Sequence, residues 1–210
     1  MGTGMNVGEK YDLLATPDSI RRTARALEKN GITTFVFETG GEAKAKVIQL
    51  LPSKAEVMNM TSMTLEAISL ATEINESGRY DSVRNRLNAM DPKTQFRDMR
   101  HIGAAPDWVV GSVHAVTEDG HLLIASRTGS QLPAYAYAGQ HVIWVIGAQK
   151  VVRNIEEGIS RIYEYSFPRE DERSLKAYGV HSGVNKILIV NEELIPGRIT
   201  AILVNEKLGF

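Results

Sequence analysis

The stretch HVIWVIG at 141–147 constrains the fold more than any other. Side chains alternate between the two faces of a strand, so a run that is apolar at every interior position has no face for water. Such strands sit inside parallel sheets covered on both sides. Trp144, in the middle of the run, belongs to the core on this reading. The rest of the chain supplies cover. TPDSIRRTARALEKNG reads as a helix, with Thr16 as N-cap, Pro17 in the first position and Gly31 as the stop. Ile20, Ala24 and Leu27 share one of its faces.

ITTFVFE (32–38) is a strand, GGEAKAKVIQLLP a helix ended by Pro52, and AEVMNM (55–60) a second strand. The chain between these strands is long enough for a crossover helix. TSMTLEAISLATEINESG reads as a third helix. Residues 79–105 read as two charged, amphipathic helices with no strand, broken by Pro92 and capping the main body. Further strands are expected at 108–117, 121–126, 141–146, 186–190 and 198–204, and helices at 132–139 and 154–166. One sheet spanning both halves is the economical assembly. The expected fold class is α/β: a Rossmann-like, parallel-rich sheet with helices on both faces. Residues 1–15 form an arm, and 16–210 one α/β domain with a helical insertion at about 79–105.

The chain has no cysteine, which excludes disulfides, thiolate zinc sites and iron–sulfur ligation. The 24 basic and 25 acidic residues nearly cancel and form no basic run, so no nucleic-acid footprint is expected. No secretory pattern opens the chain, and no apolar run approaches the ~20 residues of a membrane helix. A cytoplasmic protein without membrane attachment is expected.

GSVHAVTEDGHLLIASRTGSQ (111–131) is the densest chemical stretch. Asp119-Gly120 between apolar runs signals a two-residue hairpin. In that register Glu118 opposes His121, Val116 opposes Leu123 and His114 opposes Ala125. Glu118 then stands either at a pocket rim, available for acid–base or nucleophilic work, or in a cross-strand ion pair at a solvated tip. Zinc by His114, Glu118 and His121 is disfavoured because i, i+4 ligand spacing needs a helix, and no metal or cofactor site is expected.

Arg127, Thr128, Gly129, Ser130 and Gln131 follow a strand and precede a short helix. That position suits an anion, although ordinary connections look alike. Thr61, Ser62 and Thr64 repeat the theme after strand 55–60, where Thr61 or Ser62 also serves as an N-cap with Glu66 as box partner. Gly179, His181, Ser182 and Gly183 make a third polar loop, before Lys186. Lys150 reads as a surface lysine at a helix start, with reach to a phosphate or carboxylate as the alternative. Met58, Met60 and Met63 read as core.

The run VGSVHAVTEDGHLLIASRTGSQLPAYAYAGQHVIWVIGAQKVV resembles the core of the lactate-utilisation (LUD) domain, the family of the third protein of the bacterial operon for L-lactate oxidation. The shared pattern is a small-residue strand (Val113–Thr117), the turn Glu118-Asp119-Gly120, an apolar strand (Leu122–Ser126), a Ser/Gly-rich loop (Arg127–Gln131), the strand His141–Ile146 and a lysine turn at Lys150. TSMTLEA and the upstream order of elements also resemble the family. The resemblance implies a fold like that of sugar-phosphate isomerases and CoA transferases, in some of which a Glu-x-Gly turn carries the acyl-accepting glutamate. It casts Glu118 as that residue.

Three functions follow as expectations. The first is a cytoplasmic protein of lactate or related 2-hydroxy-acid utilisation. It would bind an anionic small molecule (lactate- or pyruvate-like, a phosphate or a CoA ester) at loops 61–64, 126–131 and 179–186. The second is a non-catalytic scaffold for iron–sulfur lactate-oxidation proteins. The third is an acyl or CoA transferase, or a sugar-phosphate isomerase-type enzyme, using Glu118. A homo-oligomer is compatible with all three.

Overall fold

The computed structural model describes residues 7–210; residues 1–6 of the expected arm lie outside the described residues. Helices α1 (Val7–Asp12) and α2 (Pro17–Lys29) lead into strand β1 (Thr33–Phe37). Helix α3 (Gly40–Leu50) then crosses to β2 (Glu56–Asn59). Both starts are set locally. Thr16 accepts from the Ser19 amide (3.2 Å) ahead of Pro17, and Thr39 and Glu42 form a reciprocal capping box.

The expected helix after β2 is two, α4 (Met63–Ala67) and α5 (Leu70–Glu76), separated by Ser69 in a left-handed conformation at φ 52°. Leu65 and Leu70 would lie on different faces of a straight helix; the break lets both be fully buried. Segment 79–105 does contain a strand, β3 (Asp81–Ser82), paired with β2 at the sheet edge. Helices α6 (Val83–Asn88) and α7 (Phe96–Ala104) follow.

The expected strand 108–117 is also two strands. β4 (Trp108–Gly111) and β5 (Ala115–Thr117) belong to different sheets, and the chain passes from one to the other through Ser112–His114. Then come β6 (Leu122–Ser126), a π-helical turn (Ala134–Ala138), β7 (His141–Gly147), a 3₁₀ turn (Ala148–Lys150) and β8 (Val151–Val152). Helix α8 (Ile155–Arg161) runs through a π-helical turn into α9 (Phe167–Tyr178), which extends well beyond the expected helix 154–166. β9 (Lys186–Val190) and β10 (Ile199–Val204) complete the chain.

The single expected sheet is thus two. A six-stranded parallel sheet has the order β1-β10-β7-β4-β2-β3, and a four-stranded mixed sheet the order β8-β5-β6-β9. Alternation along the central strands feeds two cores. Val109, Val142, Trp144 and Ile146 pack with α2 and the second sheet, while Val110, Ile143 and Val145 pack with α3, α4 and α5. Val142–Ile146 are at most 1% exposed, as the apolar run requires.

The hairpin register differs from the expected one by a residue. Ala115 pairs with Leu123 and Val116 with Leu122. A two-residue type I′ turn needs positive φ at both central positions, and of Asp119 and Gly120 only the glycine has it, at 89°. The loop is therefore Glu118-Asp119-Gly120. Thr117 closes it, exchanging backbone bonds with His121 and Gly120 and accepting the His121 amide on its hydroxyl (2.8 Å). The tip docks on the end of α2, where Asn30 donates to the carbonyls of Asp119 and Gly120 (both 3.2 Å).

Candidate functional site

β2 and β4 are neighbours, yet the chain leaves them toward opposite faces: to α4 and α5 after β2, to the second sheet after β4. A crevice opens where neighbouring parallel strands part in this way, beyond their carboxyl ends. It holds a cavity of about 940 Å³, within the range of small-molecule sites. Helices α6 and α7 wall one side through Arg84, Leu87 and Arg100.

Three strand ends build the floor. After β2, Thr64 is buried and its hydroxyl donates to the Leu208 carbonyl (3.0 Å). After β4, the backbone at Gly111 passes so close to Tyr135 that a Cβ there would lie 1.9 Å from the phenol oxygen. After β7, the 3₁₀ turn carries Lys150 beneath the cavity. Its Nζ bonds to Thr64 Oγ1 (2.8 Å), Ser112 Oγ (3.1 Å) and the Val113 carbonyl (3.1 Å). Lys150 is 2% exposed. This corrects its reading as a surface lysine: the three partners lie 86, 38 and 37 residues away in the chain.

None of those partners is a carboxylate. Burial pushes the amine well below its ordinary 10.5, and the Arg161 guanidinium pushes it further. Arg161 is fully buried and donates to the carbonyls of His114 and Gln149 and to Ser166 Oγ. Its Nη2 has no partner, and burial holds its pKa down to about 10. His114 lines the cavity, and burial, then Lys150 and Arg161, push its pKa down to about 3. Its Nδ1 accepts the Ala125 amide (3.1 Å), so the neutral ring carries its proton on Nε2.

The expected site residues divide. Thr61, Ser62, Thr64, Arg127, Thr128, Gly129, Ser130, Gln131, Ser182 and Gly183 line the cavity. Gly179 and His181 do not: Gly179 caps α9 at φ 69°, and His181 pairs with Asp171 (2.9 Å). Two amides of the Ser/Gly-rich loop are engaged within the loop: Gly129 N donates to Ser126 Oγ (2.9 Å) and Ser130 N to Thr128 Oγ1 (3.3 Å).

Glu118 is the main correction. It does not line the cavity. Its carboxylate takes both Arg22 nitrogens (2.9–3.2 Å) and the Ser19 hydroxyl, which hold its pKa below the usual range. The three-residue turn and the docking on α2 aim it at that helix.

The sequence reading places His114 on the strand face that could line a pocket and sets Lys150 within reach of an anion as the lesser alternative, but the burial of Lys150 against Thr64, Ser112 and Val113 escapes it. A faint signal exists for the lysine: it is the one charge in VIWVIGAQKVV, directly after a buried strand. Among the described residues no group of three or more His, Asp or Glu is placed to hold a metal ion, and no helix is long and apolar enough to cross a membrane.

Comparisons with known proteins agree with the architecture. The crystal structure of a DUF162 family protein from Deinococcus radiodurans matches with a TM-score of 0.57 at 12% identity, covering 92% of this chain and 100% of that one. At that identity the likeness is one of fold. No curated protein matches the chain. The family model of the LUD domain matches residues 20–204, which takes in both sheets and every strand end that forms the cavity floor, and on that match the chain belongs to the LUD domain family.

Proposed function

We propose that this chain binds a small anionic metabolite in the crevice beyond β2, β4 and β7, as a member of the lactate-utilisation family acting on a lactate-like carboxylate or a related acid. One observation carries the reading. The cavity is lined by the cationic side chains Arg84, Arg100, Arg127 and Arg173 against a single acidic side chain, Glu170. Glu170 is taken up by Arg173 through two bonds (2.7 and 2.8 Å). Arg84 donates to the Asn59 carbonyl (2.9 Å), forms no ion pair with a carboxylate among the described residues, and has its pKa lowered by burial. An anion entering here meets the Arg84 guanidinium, already desolvated by burial, with the exposed Arg100 and Arg127 beside it, and charge-assisted bonds strengthen with desolvation.

Titration calorimetry with L-lactate, pyruvate, inorganic phosphate and a sugar phosphate tests this. The expected result is saturable binding of at least one of them that weakens as salt is raised, and a loss of about tenfold on Arg84→Met, equal to one charge-assisted bond of about 1.4 kcal/mol. No saturable heat with any of them at millimolar concentration refutes the reading.

A further inference from the structure

Two of the three hydrogen bonds around Lys150 have a definite sense, and the third, to Ser112, runs from lysine to serine in an ammonium and from serine to lysine in a neutral amine. Thr64 gives its own hydroxyl hydrogen to the Leu208 carbonyl (3.0 Å), so toward Lys150 it can only accept. The Val113 carbonyl can only accept as well. A neutral amine has two N–H bonds, and these two acceptors use both. The third neighbour, Ser112 Oγ at 3.1 Å, is the one that holds a hydrogen free to give. Its other acceptor, the Val113 carbonyl, is at 3.4 Å, too far to compete well. The amine lone pair is thereby left facing the serine hydroxyl. A protonated amine would instead put a second buried cation beside Arg161 with no carboxylate bonded to either. Burial acts in the same direction on Lys150.

We infer that Ser112 and Lys150 form a nucleophile–base dyad, with Thr64 as the positioning residue, acting on an ester or thioester that carries an anionic group. This rests on the anion-binding reading above and names its substrate class. The geometry is that of an activated hydroxyl: nucleophile and base within hydrogen-bond reach, and the base oriented by a third group. Ser112 lines the cavity and is partly open to it, while Lys150 lies beneath. The backbone leading into Ser112 is packed from behind by Tyr135 at Gly111. In the first step Ser112 Oγ bonds to the acyl carbon, its proton passes to Lys150 Nζ, and the bond from acyl carbon to the alkoxide or thiolate breaks. The Lys150 ammonium returns the proton to that leaving group. Water or an acceptor hydroxyl or thiol then takes the acyl group from Ser112 by the same steps in reverse. His114, in the same cavity wall, holds its Nε2–H as a donor for the oxyanion of the tetrahedral intermediate.

The test uses the full chain with a fluorophosphonate and with 4-nitrophenyl esters of acetic and glutaric acid, the second carrying a free carboxylate. The expected result is one adduct per chain on the Ser112 peptide by mass spectrometry, and a nitrophenolate burst faster for the glutarate ester. Ser112→Ala abolishes both. Lys150→Met, with circular dichroism and melting unchanged, slows labelling by about 10²–10⁴-fold, the usual contribution of a general base. The labelling rate levels off well below pH 10.5. Thr64→Ser keeps that midpoint and Thr64→Val moves it to lower pH, because an acceptor that favours the ammonium is gone. Labelling that survives Ser112→Ala, or no labelling at all in the folded chain, overturns the dyad. Titrations with L-lactate, pyruvate, phosphate and a sugar phosphate run alongside separate the two readings: if any of them still binds, only the dyad falls; if none binds, the anion site falls with it.

Discussion

Lys150→Met has an outcome that can be worked from the structure. Methionine keeps the length of the stem and removes the nitrogen. Three hydrogen bonds are lost, at about 1 kcal/mol each. Against this, a desolvated polar group disappears beside Arg161 and an apolar group gains about 1 kcal/mol by staying buried. Above pH 10.5, where the amine is neutral in both the folded and the unfolded chain, the two proteins should differ by less than about 2 kcal/mol. The pH dependence is sharper. The native pKa of Lys150 lies well below the 10.5 of the free side chain. Between these two values the unfolded chain binds one more proton than the folded one, so the lysine's contribution to stability rises with pH. The slope is about 1.4 kcal/mol per pH unit inside that window and zero outside it. Urea unfolding of both proteins across a pH series isolates this term, because other groups cancel in the difference. A wild-type minus Lys150→Met difference that stays flat up to pH 10.5 means that the native lysine keeps its proton, and the base assigned to Ser112 is lost.

Three further outcomes follow from named contacts. Glu118→Gln should cost about 1 kcal/mol or less at neutral pH, as exposed ion pairs do, and leave phosphate titration and Ser112 labelling unchanged; the cost fades as pH falls below the unfolded value of 4.5 and through the lowered native pKa, which urea unfolding at pH 7 and pH 3 reads. Glu193→Ala should cost about 3–5 kcal/mol in thermal or urea unfolding, because it strips Arg198, 3% exposed and paired at 2.6 Å, of its carboxylate. His114→Gln should flatten acid sensitivity: native His114 resists protonation to about pH 3 against 6.5 unfolded. Wild-type stability therefore falls with pH across that interval, by up to about 1.4 kcal/mol per unit, and the variant lacks that share of the slope. Equal acid slopes in the two proteins would contradict a neutral, buried imidazole.

Local chemistry carries far in this chain. The caps at Thr16 and Thr39, the apolar run of β7 and the spacing of strands and crossover helices depend on neighbours a few residues away, and they appear in the fold close to where the residues place them. The family pattern is of the same kind, a series of short segments in order, and it holds over residues 20–204. The polar loops at 61–64 and 126–131 reach one cavity because each follows a strand whose carboxyl end opens on the crevice.

What was not legible depended on contacts between distant parts of the chain. The apolar pattern of 108–117 is that of one strand. The break at Ser112–His114 arises because β4 and β5 pair with different sheets, and pairing is a tertiary choice. The one-residue register of the hairpin was settled by its turn and by docking on α2, and it moved Glu118 from a supposed pocket to a pairing with Ser19 and Arg22. Lys150 is buried because Thr64, Ser112 and Val113, remote in sequence, supply acceptors at one point. The sequence alone therefore determined the parallel strands with their covering helices and the family, since propensity and periodicity act over a few residues. Only the tertiary structure decided which polar side chains share a cavity and which protonation states burial imposes, since desolvation depends on everything that surrounds a group.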